Sequence, residues 1–318
     1  MRSKSLILTI ENSLTDFVEK GNLDLSLEYY NPNHYFDKVY FISYSPADLD
    51  IKHNKDWLVV KSPIYFNFLH KIKKNKVLFM LFAPFVFFIH IVNLAIFIKM
   101  KHIDIARSGH PYLMSFSLFI ASKINFIPFI PTVGGDNRLA QSKIGRYHVF
   151  NNKYLSYFME EFILSRSDSV ITPNKYSSDY VQRISSAKNI YNIPLPLRNE
   201  LFKNISSEKN IPVPKFFLFI GRFAGDKHPD FVLELYIRYI RKHPSSSLNL
   251  YMIGGGELES SLKARVEKEG LDGRVVFTGF LTADKIVTYL KQSPICLIPI
   301  SGYVIYEAAV FGNIVVTS

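Results

Sequence analysis

The sequence predicts an α/β protein built from two parallel-sheet domains. Three observations carry that prediction. Short apolar runs rich in Phe, Ile and Val alternate with segments of helical length along most of the chain. The 318 residues leave room for two cores at an ordinary size of about 150 residues per domain. A proline-rich stretch without helical period, 190–215, separates a less regular first half from a more regular second half. The domains are therefore expected at 1–195 and 196–318, with 190–215 as their connection.

The elements follow in order. In the first half, strands are expected at 6–10, 38–43, 103–107, 126–133 and 169–173, and helices at 77–98, 112–123, 151–166 and 175–185. In the second half, strands are expected at 216–221, 248–254, 275–279, 295–300 and 313–317, with helices near 230–242, 257–269, 282–291 and 303–311. Strands that read as continuous apolar runs are buried on both faces, the mark of parallel sheets covered by helices. The first run, LILTI, is short and is followed by Glu11, so it reads as a strand and not as a signal peptide. Two such domains facing each other place a ligand site in the cleft, where the carboxyl ends of the strands point.

The segment 77–98 is about the length of a membrane span and is flanked by KIKKNK and KMKH. Pro84, His90 and Asn93 interrupt it, and the basic flanks match at both ends, so they encode no orientation. Three readings stay open: a span, a helix lying on the membrane surface with lysines toward anionic headgroups, or an unusually apolar domain helix.

Composition narrows the class further. A hydrophobic content of 48% and a charged content of 20% describe a folded chain. The formal net charge of +11 points to an anionic partner: nucleic acid, an acidic membrane or a phosphorylated ligand. Nucleic acid is not expected, since no helix–turn–helix signal, zinc spacing or RNP-like strand is present. The single cysteine, Cys296, excludes a disulfide within the chain and reads as a small buried hydrophobe in a reducing compartment.

FLFIGRFAGDKHPDF, 217–231, is the most informative stretch for chemistry. A strand runs into Gly221 and Arg222, then into a short loop reaching Lys227, then into a helix. Glycine lets a ligand approach the backbone, and both cations suit a diphosphate, Arg as a fork and Lys as a point charge. A loop with two solvated cations is the plain alternative. Further on come YMIGGGELESSLKARVEKEGLDGRVVFTGFL and LIPISGYVIYEAAVFGNIVVT.

In this order these elements resemble the C-terminal domain of family 4 glycosyltransferases of the GT-B fold, in which two Rossmann-like domains face a cleft. The matching elements are a Gly-Arg-(x)4-Lys segment, a glycine turn before a charged helix, a V-x-F-x-G strand, and a Glu-Ala-x-x-x-Gly helix before a final Val-rich strand. The first half is similar to a subset of the family through VEKGNLDLSLEYYNPNHYFDKVYFIS, with its Lys-Gly loop at Gly21, and through PTVGGDNRL. The resemblance implies retaining, hexosyltransferase-type transfer of a sugar from a UDP- or GDP-sugar to a polysaccharide or lipid-linked acceptor in surface glycan biosynthesis. It also implies a cytoplasmic enzyme held peripherally at the inner face of the membrane. Arg222 and Lys227 match the positions that stabilise the leaving diphosphate. Glu307 matches the glutamate that holds the ribose, and Gly279 and Phe280 fall near the base. Gly254 and the helix start at Gly302 and Tyr303 complete the expected donor site. A glutamate in the first turn of a helix, stabilised by the dipole, is the alternative for Glu307. No cofactor or metal is expected, since no HExxH or Cys/His cluster is present and Asp48 and Asp50 form only a lone pair.

Three departures qualify the resemblance. Pro299 stands where the family has a first glutamate that contacts the donor sugar. Gly134, Gly135 and Asp136 stand where an acceptor-side histidine is usual, which leaves Asp136, Arg138 and His110 as acceptor-side candidates. The chain ends on NIVVTS, so a truncated second domain is expected. A truncated or degenerate relative that binds nucleotide or membrane without turnover is the alternative function.

Overall fold

The computed structural model describes residues 3–9, 30–42, 44, 57–60, 71–72, 75–194, 216–292, 295–299 and 303–317. The chain divides into two compact units, Met1–Leu195 and Pro196–Ser318.

The first unit holds a five-stranded parallel sheet. Its strands are β1 (Ser5–Thr9), β2 (Lys38–Ile42), β3 (Trp57–Val60), β4 (Ile105–Ser108) and β5 (Phe129–Pro131), in the spatial order β3-β2-β1-β4-β5. The helices are α1 (Lys76–Lys101), α2 (Leu113–Ile124), α3 (Asn137–Ile144), α4 (Lys153–Arg166) and α5 (Lys175–Ile184). Two more parallel strands, β6 (Val170–Thr172) and β7 (Ile190–Asn192), join the sheet through a bridge between Thr132 and Ile171. One core layer packs Ile7, Tyr40, Ile42 and Ala106 of the strands against Leu94 and Ile98 of α1 and Leu118 and Phe119 of α2.

The second unit repeats the plan. Its strands β8 (Phe216–Ile220), β9 (Asn249–Ile253), β10 (Val275–Gly279), β11 (Ile295–Leu297) and β12 (Ile314–Val316) lie in the order β10-β9-β8-β11-β12, all parallel. Helices α6 (Pro229–Lys242), α7 (Glu259–Lys268), α8 (Ala283–Gln292) and α9 (Tyr303–Val310) connect them. The two-residue period of a strand is plain in β8. Phe219 faces a layer with Val232, Tyr236 and Leu262 of α6 and α7, while Phe216, Leu218 and Ile220 face Leu290 of α8 and Ala308 of α9.

Three expectations need correction. Strand 126–133 shrinks to Phe129–Pro131, because Phe126 takes a left-handed backbone (φ 56°) that ends extended structure. The stretch 190–215 is not wholly a connection, since 190–192 pair with β6. Most of the rest lies outside the described residues. The dipole alternative for Glu307 does not hold: α9 begins at Tyr303, has no acid in its first turn, and carries Glu307 in its second. Elements β3, β7 and α3 were not expected.

Both sheets reverse strand order at their first strand, between β1 and β4 and between β8 and β11. Ligands in open parallel sheets bind outside the carboxyl ends of strands at such a reversal.

Candidate donor and acceptor sites

In the second unit the reversal is flanked by Gly221. Its N–H donates to the Ile253 carbonyl (3.0 Å), and the Gly254 N–H donates to the Gly279 carbonyl (2.9 Å), so the ends of β8, β9 and β10 are knitted side by side. Gly254 has φ 137°, and a Cβ there would stand 1.9 Å from the Gly221 carbonyl oxygen. Only glycine fits so close an approach. Gly279 has φ 71°, where the β9–β10 register shifts between Phe277 and Gly279. Three glycines expected in the donor site thus meet at one edge, and Phe280 beside them is largely exposed.

The loop after Gly221 is anchored by Phe223, which is fully buried. Its N–H donates to the Gly255 carbonyl (2.9 Å), and its carbonyl accepts from the Leu258 N–H (2.9 Å). A 3-10 turn, Gly225–Lys227, then leads through His228, in left-handed conformation, to Pro229 at the first position of α6. Arg222 is exposed and donates to Asp226 Oδ2 at 2.8 Å. Lys227 is half-buried, and its ammonium forms no ion pair among the described residues. The loop therefore presents one cation held by an exchangeable surface pair and one not engaged by a described carboxylate.

Glu307 lies on α9, which follows β11 at the other side of the reversal, and it is buried, at 8% exposed. Tyr303 is the first residue of α9. Gly302 lies outside the described residues, as do Gly21 and the pair Asp48 and Asp50. Among the described residues, no group of three or more His, Cys, Asp and Glu side chains is arranged to hold a metal ion.

In the first unit His110 follows β4 at the reversal, where the Gly109 N–H donates to the Thr9 carbonyl (3.0 Å). Its ring lies parallel to His148 (centroids 6.5 Å, 9° between planes) and beside Tyr112, which stacks on His148 at 4.3 Å. Asp136 caps α3, accepting from the Leu139 N–H (2.9 Å), and pairs with Arg183 at 2.9 Å. Arg138 is held by Glu160 (3.1 Å) and the Tyr157 carbonyl (3.1 Å). Asp136 and Arg138, two of the acceptor-side candidates, thus carry structural contacts.

Glu160 is the residue that sequence reasoning missed. It is fully buried and accepts from Tyr112 (3.1 Å), Tyr180 (2.9 Å), Asn137 (3.0 Å) and Arg138 (3.1 Å). Gln141 in turn donates to the Tyr112 hydroxyl (2.7 Å). Burial and the neighbouring carboxylate push the Tyr112 and Tyr180 hydroxyls well above the usual phenol range, so both stay neutral donors. Helices α3, α4 and α5 and the N-cap residue of α2 are thereby tied together. The only sequence signal was an acid on an inward-turning position of α4.

The comparisons with known proteins agree with this architecture. The glycosyl transferases group 1 family model matches residues 202–318. The Vi polysaccharide biosynthesis protein VipC/TviE of Salmonella typhi is 30% identical over 104 residues, covering 31% of this chain and 17% of that protein. An uncharacterized glycosyltransferase of Methanocaldococcus jannaschii is 24% identical over 218 residues, covering 63% of this chain and 54% of its own length. This chain therefore spans about half, or less, of the curated relatives it matches. Among solved structures, HepE from Anabaena in complex with UDP superposes with a TM-score of 0.64 at 14% identity, covering 99% of this chain and 80% of HepE. Residues 202–318 thus match the glycosyl transferases group 1 family, and the chain has the GT-B fold of glycosyltransferases.

Proposed function

We propose that the chain transfers a hexose, with retention, from a UDP- or GDP-sugar to a glycan or lipid-linked acceptor in surface polysaccharide assembly, working peripherally at the cytoplasmic face of the membrane. The observation that carries this reading is the meeting of Gly221, Gly254 and Gly279 with the Arg222–Lys227 loop at the strand reversal, inside the segment matching the family. The UDP bound to HepE and the polysaccharide role in the name of the Salmonella relative lend support.

In the transfer, the bond between the anomeric carbon and the diphosphate oxygen breaks, and its electron pair leaves with the diphosphate. The acceptor hydroxyl bonds to the same face of that carbon and passes its proton to the departing diphosphate oxygen. Fixed cations beside the leaving oxygens favour this step because they meet the charge as it develops. Lys227 supplies one, and Arg222 supplies the second by exchanging Asp226 for the diphosphate, since an exposed pair costs little to break. The Glu307 carboxylate accepts from both ribose hydroxyls. This arrangement requires no metal or other cofactor, and the reading assigns no role to nucleic acid.

Nucleotide binding tests it. Calorimetry with UDP and GDP is expected to show saturable binding that weakens about tenfold or more in Arg222→Ala, Lys227→Ala and Glu307→Ala, as loss of a charge-assisted contact implies. Nucleotide release from a panel of donor sugars, with membrane extract as acceptor source, tests turnover. Absence of any nucleotide affinity overturns the proposal. Pro299, in place of the first family glutamate, favours a second reading in which nucleotide binds without transfer. Binding without release in the same panel selects it.

A further inference from the structure

We infer that the exposed face of α1 is a docking surface for an anionic lipid bilayer. The inference rests on the proposed peripheral location and names the surface responsible. The segment Leu81–Lys101 is long and apolar enough to cross a membrane. Yet Ala83, Val86, His90, Leu94 and Ile98 of this helix are buried within the first unit, and Leu94 and Ile98 pack against its sheet. A spanning placement would strip these residues from the core.

The opposite face is apolar and bare. Leu81, Phe85, Phe88, Val92, Ile96 and Met100 are all exposed, Phe85 and Phe88 at 63% each. At 100° per residue these positions fall on one side of the helix, in a stripe roughly 30 Å long. Surface helices ordinarily turn charged residues outward, and so large an apolar stripe marks an interaction site. Asn125 donates to the Ala95 carbonyl (3.0 Å), which sets Phe126 beside the stripe, 95% exposed and in a left-handed backbone.

Charge selects the occupant. No acidic residue occurs between Asp56 and Asp104, while seven lysines do: Lys61, Lys71, Lys73, Lys74, Lys76, Lys99 and Lys101. In sequence, five of them precede the stripe and two stand at its end, and among the described residues the exposed Lys71, Lys99 and Lys101 represent both groups. Anionic headgroups around an apolar interior complement that pattern, each lysine near such a surface contributing about 1 kcal/mol. A second copy of the chain does not, because a symmetric pairing of α1 with α1 opposes lysines to lysines in either direction.

Vesicle flotation of the full chain tests the inference. Vesicles of equal parts phosphatidylglycerol and phosphatidylcholine are expected to carry the protein, and pure phosphatidylcholine vesicles much less. Phe85→Glu/Phe88→Glu is expected to weaken flotation about tenfold or more by removing two inserted rings and adding repulsion. Val92→Glu/Ile96→Glu serves as a second pair should the first fail to fold. Unfolding temperature and UDP affinity are measured beside them and are expected to stay unchanged. If UDP does not bind while flotation behaves as stated, the transferase reading fails and this inference stands. It is overturned if wild type does not float, if the variants float as well as wild type, or if the chain is a dimer that these substitutions make monomeric.

Discussion

Acidification is expected to loosen the packing of α1 through His90. The ring is 2% exposed, and its Nε2 lies 3.0 Å from the Tyr44 hydroxyl. Burial holds its pKa down, from 6.5 to about 4. The sign follows from the direction. The folded state keeps the ring neutral, whereas the unfolded chain takes up a proton below pH 6.5. The stability contributed is therefore intact above that value and is lost as pH falls toward 4. With those two values, linkage gives a loss of about 2 kcal/mol between neutral pH and pH 5, and about 3 kcal/mol below pH 4. Urea unfolding of wild type and His90→Gln across this range measures it. Glutamine retains a polar partner for Tyr44 but does not titrate, so the wild type is expected to lose about 2 kcal/mol more than the variant by pH 5. An NMR titration of the ring gives the midpoint directly. Equal acid sensitivity in the two proteins, or a midpoint near 6.5, refutes the reasoning. Failure of this contact would also release the apolar stripe of α1 from its support.

Other outcomes follow from the same physics. Glu160→Ala leaves the buried Tyr112 and Tyr180 hydroxyls and the partly buried Asn137 and Arg138 without their shared acceptor, and is expected to cost about 3–5 kcal/mol in thermal or urea unfolding; a change within experimental error would show that the network is slack. Gly254→Ala forces a Cβ onto the Gly221 carbonyl at a positive φ. It is expected to destabilise by about 2–5 kcal/mol and to weaken UDP binding, and retention of both properties would contradict the close approach of β8 and β9. Cys296 is 1% exposed, and burial pushes its thiol up to about 12. Iodoacetamide is expected to label it only at the rate of unfolding, and rapid labelling of the folded protein would place it elsewhere.

Much of the second unit was legible in the chain. Each of its strands is mostly apolar, and each of its helices lies close to where its length and period place it, because these signals are local. Gly221, Gly254 and Gly279 stand out for the same reason: each follows or ends an apolar run. The first unit was less legible. Strand β3 is too short to separate from its surroundings, α3 is eight residues of mostly polar character, and β7 sits among prolines. Glu160 is one acid beside another, and only its helical spacing from Ser156, Ile163 and Leu164 sets it apart from Glu161, which lies largely exposed.

The sequence by itself determined the alternation of strand and helix, the parallel sheets, and the order of glycines and cations along the second unit. Tertiary structure alone decided the strand orders, with a reversal beside which His110 stands in the first unit and Gly221 in the second. It also decided that Arg222 rests on Asp226, that Asp136 and Arg138 are engaged in structure, and which side of α1 is buried. The reason is the range of the interactions. Periodicity and backbone preference act over a few residues, but strand pairing and burial of a face depend on partners far away in the chain. On α1 both faces are apolar, so no pattern within 77–98 distinguishes the side that meets Leu118 and Tyr40 from the side that carries Phe85 and Phe88.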